Sequence, residues 1–488
     1  MPPNPDPALK INRTWALAFV AVVSLVMHLK GILSPLADVH FWRQCYTATL
    51  ARNFHENGMH LLLPQIDWAG PYRGLAATEF PIFSWLMALL WPLAGLGGLW
   101  GRLLATAFSA GTAVYLFLIV EEDLGREAAL YAGVFFSWIP MEIYFGRTVQ
   151  PEAMAVCATV AAFYHWRRAL APGRPWGHWA AATLAAFLAV SLKLPYVYLF
   201  APLAWLSWEK LGRASWRDGR GWAAFLLTAA GVGAWYRYAS TGAFVIPTKT
   251  GDFLGFLNYK PYYLERQFIS RFPELAATHV GLLPLAVGAG VLLRRKLFFY
   301  AAWFVAFALS LVAGGYYTFG HEYTSLPWAP VNAAFMGAGM LALRQKTAAL
   351  RPPRRTWAWA GLLLLVVAMP VYSVLRIRHW YKIGCPELVP AEAAADRVSA
   401  RDDLFLCNSA QTPLFLFYLH RRGWGVYFEG DLPSAWADLD KRIAQGARFF
   451  FALKSGLFQD RDGEVARGFY KRFPVAYDDG RLLIFRLR

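Results

Sequence analysis

Apolar stretches about as long as a bilayer core demands, roughly 20 residues, recur throughout this 488-residue chain and restrict its fold more than any other feature. They lie near 14–33, 80–96, 99–120, 127–143, 151–166, 177–191, 194–208, 222–239, 279–293, 297–313, 325–343 and 356–375. Lipid offers no hydrogen bonds to a bare backbone, so each segment that crosses must be helical. Composition agrees, with 57% hydrophobic and 16% charged residues, where soluble domains carry about 25% charged. The predicted fold class is an all-α polytopic membrane bundle with a small α/β domain at its C-terminal end. The first stretch, preceded by Lys10 and Arg13, reads as a retained signal anchor, since no small-residue cleavage site follows it.

The formal charge of +17 does not indicate nucleic acid. Lys and Arg collect in short loops: Arg167, Arg168 and Arg174; Lys210, Arg213, Arg217 and Arg220; Arg294, Arg295 and Lys296; Arg344, Lys346, Arg351, Arg354 and Arg355. These should be cytoplasmic by the positive-inside rule. The segments near Gln150, Lys193, 240–278 and His321 then share the outer side, as does the tail from about 380. An inside N-terminus and an outside tail require an odd number of crossings. The short 80–96 segment, with Pro81, Pro92 and Gly95, Gly97 and Gly98, is the one expected to be re-entrant or interfacial, leaving about eleven.

A transmembrane module of residues 1–378 and a soluble domain of 379–488 are predicted. Loop 34–79 is too long for a connector, and within it Thr47–Asn57 has the spacing of a helix lying flat on the membrane, or of a short packed helix. In the tail, 404–407, 448–453 and 482–487 read as strands and 413–421 and 432–445 as helices. Cys45, Cys157, Cys385 and Cys407 fit no metal spacing, and free thiols are expected in preference to a Cys385–Cys407 bridge.

Charged residues at the mouth of a helix bundle usually mark a substrate path, and four clusters fall on the predicted outer side. Asp38, past the first span, is a candidate general base beside Arg43, with His40 as the lesser alternative; in structural terms Asp38 would only cap the next helix. Glu79 ends the same loop. Arg147, Gln150 and Glu152 open a later span, where Glu152 would be a second acid that holds the acceptor or orients Arg43, or merely favours a helix N-terminus. Lys193 stands alone between two apolar spans, either snorkelling or awaiting a lipid phosphate. His321 and Tyr323 add polar groups at a later span entry. In the 240–278 loop, Lys249, Lys260, Tyr262, Tyr263, Arg266 and Arg271 suggest either a place for an anionic lipid or acceptor, or an amphipathic surface helix.

Asp38-x-x-x-Trp42-Arg43-Gln44, Glu79-Phe80-Pro81, Arg147 with Gln150-Pro151-Glu152, Lys193-Leu194-Pro195, and His321-Glu322-Tyr323 before Leu326-Pro327 form an ordered set. The order resembles the GT-C glycosyltransferases, in particular the branch of protein O-mannosyltransferases and lipid A aminoarabinose transferases, over roughly residues 14–345. The resemblance implies a GT-C-like architecture and an inverting transfer of a sugar from a polyprenyl (undecaprenyl-type) monophosphate donor at the outer, periplasmic face of a bacterial cytoplasmic membrane. The acceptor would be a lipid, glycan or protein. Asp38 matches the catalytic acid of the family's first loop, and Glu152 the second-loop acid. Arg43 and Lys193, with Arg147, match cations for the donor phosphate; His40, Glu79, Gln150, His321 and Tyr323 would contact substrate. No metal is required, although a divalent ion could be held near Asp38 and Glu152. One departure is Glu79-Phe80-Pro81, where the aminoarabinose transferases carry a lysine between Glu and Pro. A polyprenyl-lipid flippase or transporter is the competing class, but no internal repeat of the transporter kind is visible. A non-catalytic scaffold is the third.

Overall fold

The computed structural model describes residues 12–72, 74–76, 78–93, 98–244, 260–408 and 412–488. Lys10, Gly95, Gly97 and Lys249 lie outside the described residues. Two compact units emerge, one of 1–32, 102–238 and 249–380, the other of 33–101, 239–248 and 381–488.

The first unit is helical. It contains α1 (Arg13–Met27), most of α4 (Leu99–Leu124), α5 (Arg126–Trp138), α6 (Pro140–Phe145), α7 (Glu152–Ala169), α8 (Trp176–Leu192), α9 (Phe200–Leu211) and α10 (Gly219–Ala239). After the undescribed stretch come α11 (Pro261–Leu264), a wide-turned helix Glu265–Ala276, α12 (Leu282–Arg294), α13 (Phe298–Ala313), α14 (Gly315–Gly320), α15 (Trp328–Ala348) and α16 (Arg354–Ile377). These follow the apolar segments closely, except that Pro140, at the first position of α6, divides the expected 127–143 helix in two. By length and composition α4 and the segment Arg354–Tyr381 suffice to cross a bilayer, and α1, α8, α12 and α13 are shorter apolar helices. α16 turns Leu363, Leu364 and Val367 outward, each more than half exposed. Such an apolar exterior suits lipid, not water.

Small residues set the packing. A side chain on Gly288 would collide with the Phe335 carbonyl, and one on Gly339 with that of Pro284, so α12 and α15 touch backbone to backbone. At one end of this unit the α4–α5 turn carries Glu121, Glu122, Asp123 and Glu127. They pair with Arg13, Arg126, Arg168, Arg167 and Arg344, which brings cations distant in sequence together.

The second unit joins segment 33–101 to the tail. That segment supplies α2 (Phe41–Asn57), a hairpin of β1 (Gln65–Ile66) and β2 (Gly74–Leu75), and α3 (Ile82–Leu90). With nine residues, α3 rises only about 14 Å, less than half a hydrocarbon core. The tail builds β3 (Leu404–Asn408), β4 (Gly423–Val426), β5 (Ala447–Leu453), β6 (Val475–Asp478) and β7 (Leu482–Arg486), in spatial order β4-β3-β5-β7-β6. The β4-β3-β5 half is parallel and the rest antiparallel. α19 (Leu432–Ala444) and α20 (Glu464–Arg472) cover one face around Phe428, Phe450, Phe469 and Phe485. α17 (Ala391–Asp396) and α18 (Thr412–Leu419) complete the domain. The predicted strands and helices appear within a residue or two, while β4, β6, α17 and α20 were not anticipated.

The tail does not stand apart from the loop. Gly70 donates to the Gly423 carbonyl at 2.9 Å and Gly423 donates to that of Asp67 at 2.9 Å, closing the β4 edge with loop backbone. Gly70 has φ +68°, and any side chain there would overlap Trp424, so glycine is required. α2 is buried continuously from Arg43 to Phe54. It therefore has no free apolar face for a membrane surface, and the packed-helix alternative holds. The four cysteines are unbridged.

Candidate active site

Most sequence-predicted site residues fall into two groups, one in each unit. In the helical unit, three of them sit where helices are interrupted. Lys193 has extended backbone (φ −150°, ψ 108°) after α8, and Pro195 begins the next helical turn, where its missing N–H costs nothing. His321 has the same character (φ −131°, ψ 109°) before the turn Glu322–Ser325. Glu152 is the first residue of α7, following Pro151. These breaks free the side chains from helix surfaces and bring them together. Lys193 Nζ lies 2.8 Å from Glu152 Oε1, with the two side chains 11% and 3% exposed. The ammonium also stands 5.8 Å from the Tyr323 ring centroid, and Tyr323 stacks on His321 at 5.2 Å. A small cavity of about 30 Å³, room for one water, is lined by Glu152, Lys193, Tyr196, Tyr317 and Tyr323.

Arg147 and Gln150, in the buried turn between α6 and α7, are fully enclosed. The Arg147 guanidinium lies over the Tyr144 ring at 4.9 Å and donates to the Gly31 carbonyl at 3.4 Å. The Gln150 side-chain amide is buried with no hydrogen-bond partner among the described residues.

Sequence reasoning missed the brace behind His321 and Tyr323. Arg271 donates to the carbonyls of Thr318 at 3.0 Å and Phe319 at 2.7 Å and pairs with Glu322 at 3.0 Å. Gln267 donates to the Thr318 carbonyl at 2.6 Å and accepts from Ser325 at 3.1 Å. Arg271, read from sequence as a cation for an anionic lipid or acceptor, is 4% exposed and committed to this segment. It braces the turn from within.

In the second unit Asp38 is 1% exposed and accepts from Gln44 Nε2 at 2.6 Å. The cap position of α2 belongs to His40, in left-handed conformation at φ 58°, not to Asp38. The Asp38 carboxylate is held by an amide in the first turn of α2. Arg43 forms a buried ion pair with Glu79, and the Thr78 hydroxyl sits 2.9 Å from both Glu79 Oε2 and the Tyr46 hydroxyl. The sequence suggested that Glu152 orients Arg43; Glu79 is the partner found for Arg43, and Glu152 serves Lys193. Buried cations of this kind need such partners to remain charged. No group of three or more His, Cys, Asp or Glu suited to a metal gathers among the described residues.

Residues 78–236 match the family described as dolichyl-phosphate-mannose-protein mannosyltransferase. A search of curated protein sequences finds no match. Among solved structures, ArnT from Cupriavidus metallidurans in the apo state is similar with TM-score 0.62 and 13% identity, over 97% of each chain. The same ArnT bound to undecaprenyl phosphate gives 0.60 and 12%, covering 98% of this chain and 99% of that one. The Archaeoglobus fulgidus oligosaccharyltransferase in complex with zinc and sulfate gives 0.60 and 12%, over 90% of this chain and 68% of the other. The likeness extends end to end at low identity, which shows shared architecture. With its helical bundle, its 33–101 segment and its small sheet-containing tail, this chain has the GT-C fold.

Proposed function

We propose that the protein is an inverting glycosyltransferase that moves one sugar from a polyprenyl-monophosphate donor to an acceptor at the periplasmic face of a bacterial cytoplasmic membrane. The observation that carries this is Lys193: a nearly buried ammonium at a helix break, neutralised by Glu152 and lying beneath an aromatic ring. An ammonium has three donors, so Lys193 can keep Glu152 and still take a phosphate oxygen. The solved likeness to ArnT bound to undecaprenyl phosphate supports a polyprenyl phosphate as the ligand.

In the reaction an acceptor O–H or N–H attacks the anomeric carbon from the face opposite the phosphate. The new bond to that carbon forms as its bond to the phosphate oxygen breaks; the electron pair leaves with polyprenyl phosphate and the acceptor proton passes to Asp38. The hydrogen bond from Gln44 orients Asp38 for this step. Lys193 and Arg43 take the growing phosphate charge, and Arg147 adds positive charge from its enclosed position. Glu79 and Glu152 keep Arg43 and Lys193 in place. His40, Gln150, His321 and Tyr323 are assigned to substrate contact.

The test is reconstitution in lipid with radiolabelled polyprenyl-phosphate sugars, following label into a membrane extract. Transfer by the wild type and its loss in Asp38→Ala are expected. The same assay with a chelator addresses metal, since the Archaeoglobus relative was solved with zinc; transfer should persist, because a monophosphate leaving group is matched by two side-chain cations. Tight donor binding without transfer, unchanged by Asp38→Ala, would overturn the reading in favour of a flippase.

A further inference from the structure

The second unit contains a cleft of about 430 Å³ that the transfer chemistry does not use. It is bordered by the C-terminal end of α2, the β1–β2 hairpin and the residues between β3 and β4. Its size falls within the ~300–1,000 Å³ typical of small-molecule sites. Its walls differ from those of an ordinary apolar pocket. Tyr72, 72% exposed, supplies an aromatic plane. Opposed to apolar lining elsewhere, Asn57 donates to Gln65 Oε1 and to Asn53 Oδ1, each at 3.0 Å, and Asn53 donates to Asp67 Oδ1 at 2.9 Å. This relay of amides is anchored on the buried Arg52–Asp67 ion pair. It leaves the Gln65 amide N–H groups and the Asn57 amide oxygen without partners among the described residues.

Among the described residues the cleft's charges are paired: Arg52 with Asp67, Arg421 with Asp396, Arg401 with Glu392, and Arg422 with Asp402 at 3.7 Å. An aromatic face beside planar amides and paired charges is complementary to a pyranose ring, which offers an apolar C–H face for stacking and a rim of hydroxyls that donate and accept.

The geometry points to a saccharide subsite for the acceptor. This rests on the transferase reading and narrows the acceptor to a glycan-bearing molecule. One helix links cleft and chemistry: Arg43 lies in the first turn of α2 and Asn53 and Asn57 in its last turns. The 1.5 Å rise puts about 15 Å between Arg43 and Asn53 along the axis. An acceptor engaged here is therefore read a few sugar residues away from the end that is modified.

The experiment uses the full-length protein in nanodiscs and saturation-transfer NMR with neutral oligosaccharides of increasing length and with uronic-acid-containing ones. Binding to wild type is expected with both, strengthening with length, and Tyr72→Ala, an exposed change that leaves the core intact, should weaken it roughly tenfold or more. In the transfer assay Tyr72→Ala and Gln65→Ala should raise the acceptor KM by a similar factor and leave kcat and donor binding unchanged. Absence of saccharide binding, or equal binding by Tyr72→Ala, overturns the subsite. The two readings fail separately. Transfer to an acceptor without sugar, indifferent to Tyr72→Ala, refutes the subsite while the transferase stands. Saccharide binding without transfer from any donor refutes the transferase while the subsite stands.

Discussion

Lys193 and Glu152 are each costly to bury and are tolerated because they neutralise one another. Removing one partner of a buried pair leaves an uncompensated charge, at a cost of about 3–5 kcal/mol. Lys193→Met should therefore lower thermal stability sharply and abolish transfer. Adding Glu152→Gln to Lys193→Met should restore most of the stability and none of the activity. If the double variant were as unstable as the single one, the pair would not be what holds this helix break. Such residues were legible in the sequence because each is a charged group in apolar surroundings. Their partners were not. Nothing in the spacing of Arg43, Glu79, Glu152 and Lys193 says which carboxylate meets which cation, since that depends on how helices far apart in sequence dock. Asp38 could be picked out as a carboxylate past the first span, but its hydrogen bond from Gln44, and His40 at the cap position of α2, required backbone geometry.

At the level of elements, periodicity located nearly every helix, because an apolar run of bilayer length has few other outcomes. It failed where special backbone intervenes. Pro140 splits one helix; Glu265–Ala276 winds widely around Pro273, and its loop-like composition concealed a structural brace. Wide turns of this type are rare and often mark functional places. β4 escaped notice because Gly-Trp-Gly-Val is only four residues long and half glycine, and its edge is completed by loop residues from far upstream. The brace makes a prediction. Arg271→Lys keeps the charge but cannot reach two carbonyls and Glu322 together as the guanidinium does. Backbone amides from about 315 to 326 should then exchange faster by hydrogen–deuterium mass spectrometry, and donor KM should rise. Unchanged exchange there would show that Gln267 holds the turn alone.

On the scale of the whole molecule, the second unit should be acid-sensitive. Burial works to raise the pKa of Glu56 and Glu392. For Glu56 the hydrogen bond and charge of His420, then Arg52 and Arg401, outweigh it; for Glu392 Arg401 and His420 do so, and both carboxyls end below the ordinary range. His420 joins them, 2.8 Å from Glu56 and 2.9 Å from Glu392, so the network ties α2 to the tail. A depressed carboxyl pKa stabilises the folded form fully above the unfolded value, near 4.3, and that stabilisation fades as pH drops through the lower folded value. Thermal unfolding followed by tryptophan fluorescence should show the midpoint falling below about pH 4, with a shallower fall in Glu56→Gln/Glu392→Gln. Equal slopes in the two proteins would remove this network from the account.

The hydrogen bonds that join Gly423 to Gly70 and Asp67 also carry a consequence for biosynthesis. The two main parts of that unit are separated by roughly 280 residues of chain, residues 102–380, which at ~5–20 residues per second take on the order of 15–60 s to synthesise. Throughout that interval segment 33–101 is already made, yet its partner strand does not exist. The segment that carries Asp38 and Arg43 must wait, incompletely folded, until residues 381–488 arrive to close it. Its competence is thereby tied to synthesis of that later part, and a chain terminated before it would never assemble the fold around its proposed base.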